Sequence, residues 1–196
     1  MATLQEAINI ARGLLQDTTV TYRYSDADLL QYGNDALDII ATNQPQWFYA
    51  IAELTCIEGK TIQTFNVADS LGLVDVLNVK DGGVVRKTDK NIMDRFRPSW
   101  HIDSSGAATE WMLAADDPSR FYIHPKAPAN QVLVIQYIQK PAEYAIGATH
   151  ALPNTFTPII AKYIVAMANS RESGDAETAK ASKEMGEFYS MIGTSN

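Results

Sequence analysis

Cysteine is nearly absent. Cys56 stands alone, which excludes an intramolecular disulfide and makes a cysteine-built metal site implausible. Histidine is scarce too. His101, His124 and His150 lie far apart, without HxH, HxxxH or HExxH spacing, so surface or strand-end histidines are a plainer expectation than metal ligands. No stretch approaches the roughly 18 consecutive apolar residues that span a bilayer. The opening MATLQEAINIARG lacks the basic-then-apolar order of a secretory signal. There is no GxxxxGK[ST], no GxGxxG after a strand and no GxSxG elbow. Positive charge is also short, with 16 Lys and Arg against 23 Asp and Glu, a net of −7. That balance argues against binding nucleic acid without regard to sequence, which relies on basic surface. These absences describe a chain made in the cytosol, with no cofactor, no metal and no membrane partner expected.

What remains is a globular composition, 46% hydrophobic and 20% charged over 196 residues, long enough to bury a core. The negative charge is uneven. Residues 1–45 hold six acids against two bases, residues 46–140 eleven against ten, and residues 141–196 six against four. Thr3 and Glu6 form a capping-box pattern ahead of a stripe of Leu4, Ala7, Ile8, Ala11 and Leu14, which predicts a helix over 4–15. Ser25 caps a second helix with Asp26 and Asp28 in its first turn, running to Asn43-Gln44-Pro45.

From Trp47 the pattern changes to short β-rich runs, 50–56, 61–65, 74–80, 84–87, 109–115, 121–124 and 132–139, with turns at Gly59, Gly82 and Pro118 and a short helix over 89–94. Helical periodicity returns after Pro141. Pro158 sits in the first turn of a helix over 156–171, Gly174 separates it from a last helix over 176–192, and Gly193 is a left-handed stop. The expected fold class is α+β. The terminal helical pairs, 1–45 and 141–196, form a four-helix bundle, with 46–140 inserted as an antiparallel β-sandwich or small barrel.

Chemistry is hard to find in this pattern. Asp116-Asp117 beside Pro118 reads as a solvated turn. The bases Lys80, Arg86, Lys87, Lys90, Arg95 and Arg97 are interleaved with Asp81, Asp89 and Asp94, which suits a polar interface or a solvated face better than a nucleic-acid face. Trp47, Phe48, Trp100 and Trp111 lie near segment ends, where large aromatics serve either as core or as interface anchors. Trp47 and Phe48 stay open between the two. Phe188 and Ile192 on the last helix face either helix 156–171 or a partner.

The run ARGLLQDTTVTYRYSDADLLQYGNDALDIIATNQPQWF resembles the N-terminal signature of phage head-to-tail adaptor proteins of short-tailed phages. Arg12, Leu14, Leu15, Gln16, Asp17, Tyr24, Ser25, Asp26, Leu29, Leu30, Asn34, Asp35, Ala36, Pro45 and Phe48 carry the likeness. Pro98 with Trp100, the run DDPSRFYIHPKAP, the strand VLVIQYIQKPAEY and the closing LPNTFTPIIAKYIV…FYSMIG continue it in the same order. Asn169-Ser170-Arg171-Glu172 departs from the family pattern, which has a more alanine-rich, aspartate-bearing helix end. The resemblance implies a structural virion protein and no enzyme. It would sit at the head–tail interface as a ring, commonly of twelve copies, on the portal protein. The ring would extend the DNA channel, let DNA pass without specific binding, and offer a surface to a tail or nozzle protein. On that view the candidate interface residues are Trp47, Phe48, Trp100, Arg95, Arg97, Phe188 and Ile192. Asp28, Asp35 and Asp38 are the candidates for the channel wall. Two other classes stay open: a small enzyme with dispersed catalytic residues, and a nucleic-acid-binding module built on 80–97.

Overall fold

A computed structural model describes residues 2–19, 22–172 and 174–193. The fold is α+β, with five α-helices and two separate sheets among the described residues. Contacts divide it into two units, Met1–Phe48 with Lys140–Asn196, and Tyr49–Gln139.

The first unit is helical. Helix α1 (Leu4–Leu15) begins with the capping box, in which the Thr3 hydroxyl accepts from the Glu6 amide and the Glu6 carboxylate accepts from the Thr3 amide. Helix α2 (Asp26–Asn43) is capped by Ser25, whose hydroxyl accepts from the Asp28 amide. Helix α4 (Thr157–Ser170) packs against α1, α2 and α5 (Asp175–Met191). Leu4, Ile8, Leu29, Leu37, Ile40, Ile160, Ile164 and Phe188 are fully buried. Gly33 allows the close approach: a Cβ there would stand 3.2 Å from Leu4 Cδ2 and 3.7 Å from Ile164 Cδ1. Helix α5 stops at Gly193, φ 77°.

The second unit holds seven strands, β1 (Tyr49–Thr55), β2 (Ile62–Thr64), β3 (Ser70–Val79), β4 (Arg86–Lys87), β5 (Glu110–Leu113), β6 (Arg120–His124) and β7 (Val132–Gln139), with helix α3 (Lys90–Phe96) between β4 and β5. Strands β1-β7-β3 form one sheet and β2-β6-β5-β4 the other. Leu54, Val76, Leu133 and Ile135 of the first sheet meet Trp111, Phe121 and Ile123 of the second in one buried cluster.

Three expectations need correction. Neither sheet closes on itself, so there is no closed barrel. The pairing is not wholly antiparallel, because β4 runs parallel to β5 over two residues. Strand β3 starts at Ser70, earlier than 74, and its pairing with β7 slips at three places. Such bulges break the two-residue alternation by which a strand is read.

Candidate functional site

His124 is buried between two carboxylates, with Nε2 2.9 Å from Asp103 Oδ2 and Nδ1 3.1 Å from Glu110 Oε2. His150 is buried with neither ring nitrogen in a hydrogen bond. His101 stands exposed, its ring edge-on to Trp100. Burial pushes the Cys56 thiol up, against a weaker pull from the Gln131 amide 3.6 Å away, and a raised, buried thiol is a poor nucleophile. Among the described residues no three His, Cys, Asp or Glu side chains are grouped to hold a metal ion. The cleft of about 320 Å³ beside α4 and α5 contains Glu177 and Glu184, but Glu184 is bound by Lys162 at 2.7 Å.

The signature residues converge on the α1–α2 loop instead. Arg12 is 7% exposed. Its Nη1 donates to Asp17 Oδ2 at 2.6 Å, and its Nη2 donates to Asp26 Oδ1 at 2.5 Å and to the Tyr24 carbonyl at 3.1 Å. Tyr22 covers the guanidinium at 3.7 Å. The Asp17 carboxylate also accepts from the amides of Arg23 and Tyr24. A short aspartate able to take an arginine and two backbone amides fixes a loop by itself. (Val20 and Thr21 of that loop lie outside the described residues.)

The departing segment at the end of α4 completes the clasp. Glu172 accepts from the Tyr24 hydroxyl at 2.9 Å and pairs with Arg23, and Arg171 pairs with Asp28 at 3.0 Å. Burial, then the bond to Glu172, push the Tyr24 phenol up to about 12. Asn34 reads backbone, its amide giving to and taking from Tyr144 at 3.2 and 2.9 Å. These residues are architecture.

The candidate interface residues separate by burial. Phe188 is fully buried with its ring 5.0 Å from Tyr163, and Ile192 and Phe48 are buried in the same unit. Trp100 is buried among Met93, Met112 and Tyr122 and donates its indole N–H to Asp94 at 2.8 Å. In the free chain these four side chains are covered by its own residues. Trp47 remains 45% exposed, edge-on to Phe156. Arg95 and Arg97 are exposed.

Of the candidate channel residues, Asp28 is held by Ser25 and Arg171, which keep its carboxyl below the usual range. Asp35 takes only the Gln31 amide at 2.9 Å, and Asp38 is exposed. At 100° per residue all three share the face of α2 opposite its buried stripe of Leu29, Ala36 and Ile40.

Sequence reasoning missed what surrounds the exposed arginines. On α3, Ile92 is 53% and Phe96 is 73% exposed, one turn apart, while Met93 is the buried residue of that helix. Lys80 is held by Glu53 and Lys90 by Asp94. Arg86, Lys87 and Arg95 have no carboxylate partner among the described residues. Arg97 only approaches Glu110, at 3.9 Å. The signal was present as an apolar pair at i and i+4, but a seven-residue helix is too short for periodicity to say which face is inside.

No helix of the described residues is long and apolar enough to cross a membrane. No curated protein matches the chain. Among solved structures, a chain from the neck of an empty GTA particle, computed with C6 symmetry, is similar at 16% identity and a TM-score of 0.31, with 94% of this chain and 92% of that chain covered. The family described as SU10 adaptor protein matches residues 2–195, and the chain belongs to that family.

Proposed function

We propose that the protein is a head-to-tail adaptor of a phage particle, a structural component that forms a ring on the portal protein, extends the DNA channel and receives a tail or nozzle protein. The family match over nearly the whole chain carries this reading. The architecture supports it: Arg12, Asp17, Tyr24 and Asp26 of the family-like signature tie α1 to the start of α2. Within this reading the terminal helical pairs make a four-helix bundle, supported by the packing of α4 on α1, α2 and α5. The inserted region is a sandwich, supported by the cluster that both sheets share. In this scheme the free chain is mostly monomer, its copies associating only weakly, and the portal acts as template. Cyclic closure repeats one modest contact at every subunit, so neighbours offset the entropy lost on ordering each copy.

A ring of about twelve copies at −7 each carries a large negative charge. A negative wall discourages phosphate within the 8–10 Å reach that salt allows. The α2 face of Asp28, Asp35 and Asp38 suits such a wall, and it also suits contact with a neighbour's cations. Electron microscopy of the protein with portal rings tests the function. A ring capping the portal is the expected result. Absence of any complex, or stable rings formed without portal, overturns the scheme in its binding or its template step respectively.

A further inference from the structure

We infer that the exposed α3 patch of one subunit docks on the acidic α2 face of a second copy of this chain, an assignment that rests on the ring reading above. The patch joins two features that seldom stay in water together. Ile92 and Phe96 present an apolar ridge one turn apart, and Arg95 and Arg97 flank it with charge that no carboxylate satisfies at close range. Seven other cations of the chain, Arg12, Arg23, Lys80, Lys90, Arg120, Lys162 and Arg171, are held by carboxylates at close range. Over 86–97 five bases face two acids, in a chain whose net charge is negative. A partner for this patch must therefore be acidic with some apolar surface.

The chain itself supplies one. On the solvent face of α2, Asp35 and Asp38 have no cation among the described residues, and half-buried Tyr32 and Ile39 flank them. The two surfaces are different, lie on different units and have opposite charge. That is the requirement for a heterologous contact, which builds a ring where its rotation closes and never a two-fold dimer. Asp28 is excluded from the contact because Arg171 already neutralises it. Assigning Asp35 and Asp38 to a neighbour takes them off the channel wall.

The test exploits the head-to-tail geometry. One full-length variant carries Arg95→Glu and Arg97→Glu, and so has two acidic faces. The other carries Asp35→Lys and Asp38→Lys, and so has two basic faces. Alone, each meets only like charge. Mixed in equal amounts, they restore opposite charge at every junction of an alternating ring. Sedimentation velocity up to millimolar protein and electron microscopy on portal rings give the readouts, with circular dichroism confirming that each variant is folded. The expected result is salt-sensitive association of the unaltered chain, at least tenfold weaker in either variant alone and recovered in the mixture. Phe96→Ser should weaken it at unchanged salt dependence. Three outcomes overturn the contact: variants that associate like the unaltered chain, a mixture that fails to recover, or an unaltered chain monomeric at millimolar concentration. If rings still cap portals in those cases, the ring reading survives with another interface. If the lysine variant forms normal rings but slows DNA ejection, the residues belong to the channel wall. If no rings form with any protein, the ring reading itself has failed.

Discussion

Each unit of this protein has an arginine and a phenylalanine that define its character, and the structure treats them oppositely. In the helical unit Arg12 and Phe188 are buried, the first between Asp17 and Asp26, the second against Tyr163. In the β-rich unit Arg95 and Phe96 are exposed, and Arg95 has only the neighbouring Phe96 ring at 5.6 Å. Residue type alone does not separate structure from recognition. What separates them is whether the group's electrostatic and apolar demands are met within its own chain. Around Arg12 and Phe188 the helical unit meets them. The α3 segment does not, and is left with surface to offer.

Breaking the helical unit should have the largest effect. Arg12→Ala leaves Asp17 as a buried carboxylate stripped of its cation, and removing one partner of a buried pair costs about 3–5 kcal/mol. Urea denaturation of the full chain should show a loss of that size. Asp17→Asn in the same background should recover part of it, because no charge is then left unpaired. A loss below about 1 kcal/mol, within the range of surface pairs, would mean that the loop opens to water and the joint is not rigid.

Phe188→Ala should cost a comparable amount, about 3–5 kcal/mol by loss of burial plus the cavity left behind. Ile192→Ala, a smaller truncation at the C-cap of the same helix, should cost less. Thermal melting of the free subunit reads both. Unchanged melting with lost portal capture would instead make this face a docking surface, against its burial in the structure.

How much of this contrast was legible beforehand depended on how strongly local rules constrained each part. Helix α1 announces itself twice, by the Thr3–Glu6 capping box and by its stripe, and it lies over Leu4–Leu15. The joint was visible as a string of residues but not as a mechanism. Nothing in the spacing of Arg12, Asp17 and Asp26 says that one guanidinium joins them, since a loop of undetermined path intervenes. Strand β3 was read short because its three register slips scramble the alternation. The parallel β4–β5 pair was unreadable, because two residues carry no pattern. Arg95 and Arg97 stand out by charge, whereas Ile92 falls inside and Phe96 outside the short helix expected over 89–94, which extends to Phe96. Trp100 looked like an anchor near a segment end. Its indole N–H finds Asp94 and its ring finds Tyr122, and those partners draw it inward.

A smaller effect should appear with pH. Burial holds the His150 imidazole below its ordinary 6.5, with the Glu6 charge pulling less strongly the other way. The unfolded chain takes up that proton near 6.5, and the folded chain only at lower pH. Below 6.5 the unfolded state therefore binds more protons, and stability falls as pH falls. Above 6.5 the contribution is complete. His150→Leu should flatten this part of the stability–pH curve relative to the unaltered chain. It should cost little at neutral pH, because neither ring nitrogen is hydrogen-bonded. An identical slope in both proteins would show that the ring is protonated where it lies.

The smallest effect on stability is expected at the other side of the comparison. Arg95→Glu and Phe96→Ser alter exposed side chains that close no ion pair and fill no core, and such changes usually fall within about 0.5 kcal/mol. Phe96 in particular already pays the cost of apolar exposure in the free subunit, so a serine there should be neutral or slightly stabilising. Urea midpoints should coincide with the unaltered chain while self-association or portal-templated assembly declines. That dissociation of folding from assembly is what distinguishes the two arginine–phenylalanine pairs. If Phe96→Ser instead destabilised the free chain by as much as Phe188→Ala, Phe96 would belong to the core of its own unit, and α3 would have no apolar ridge to present to a neighbour.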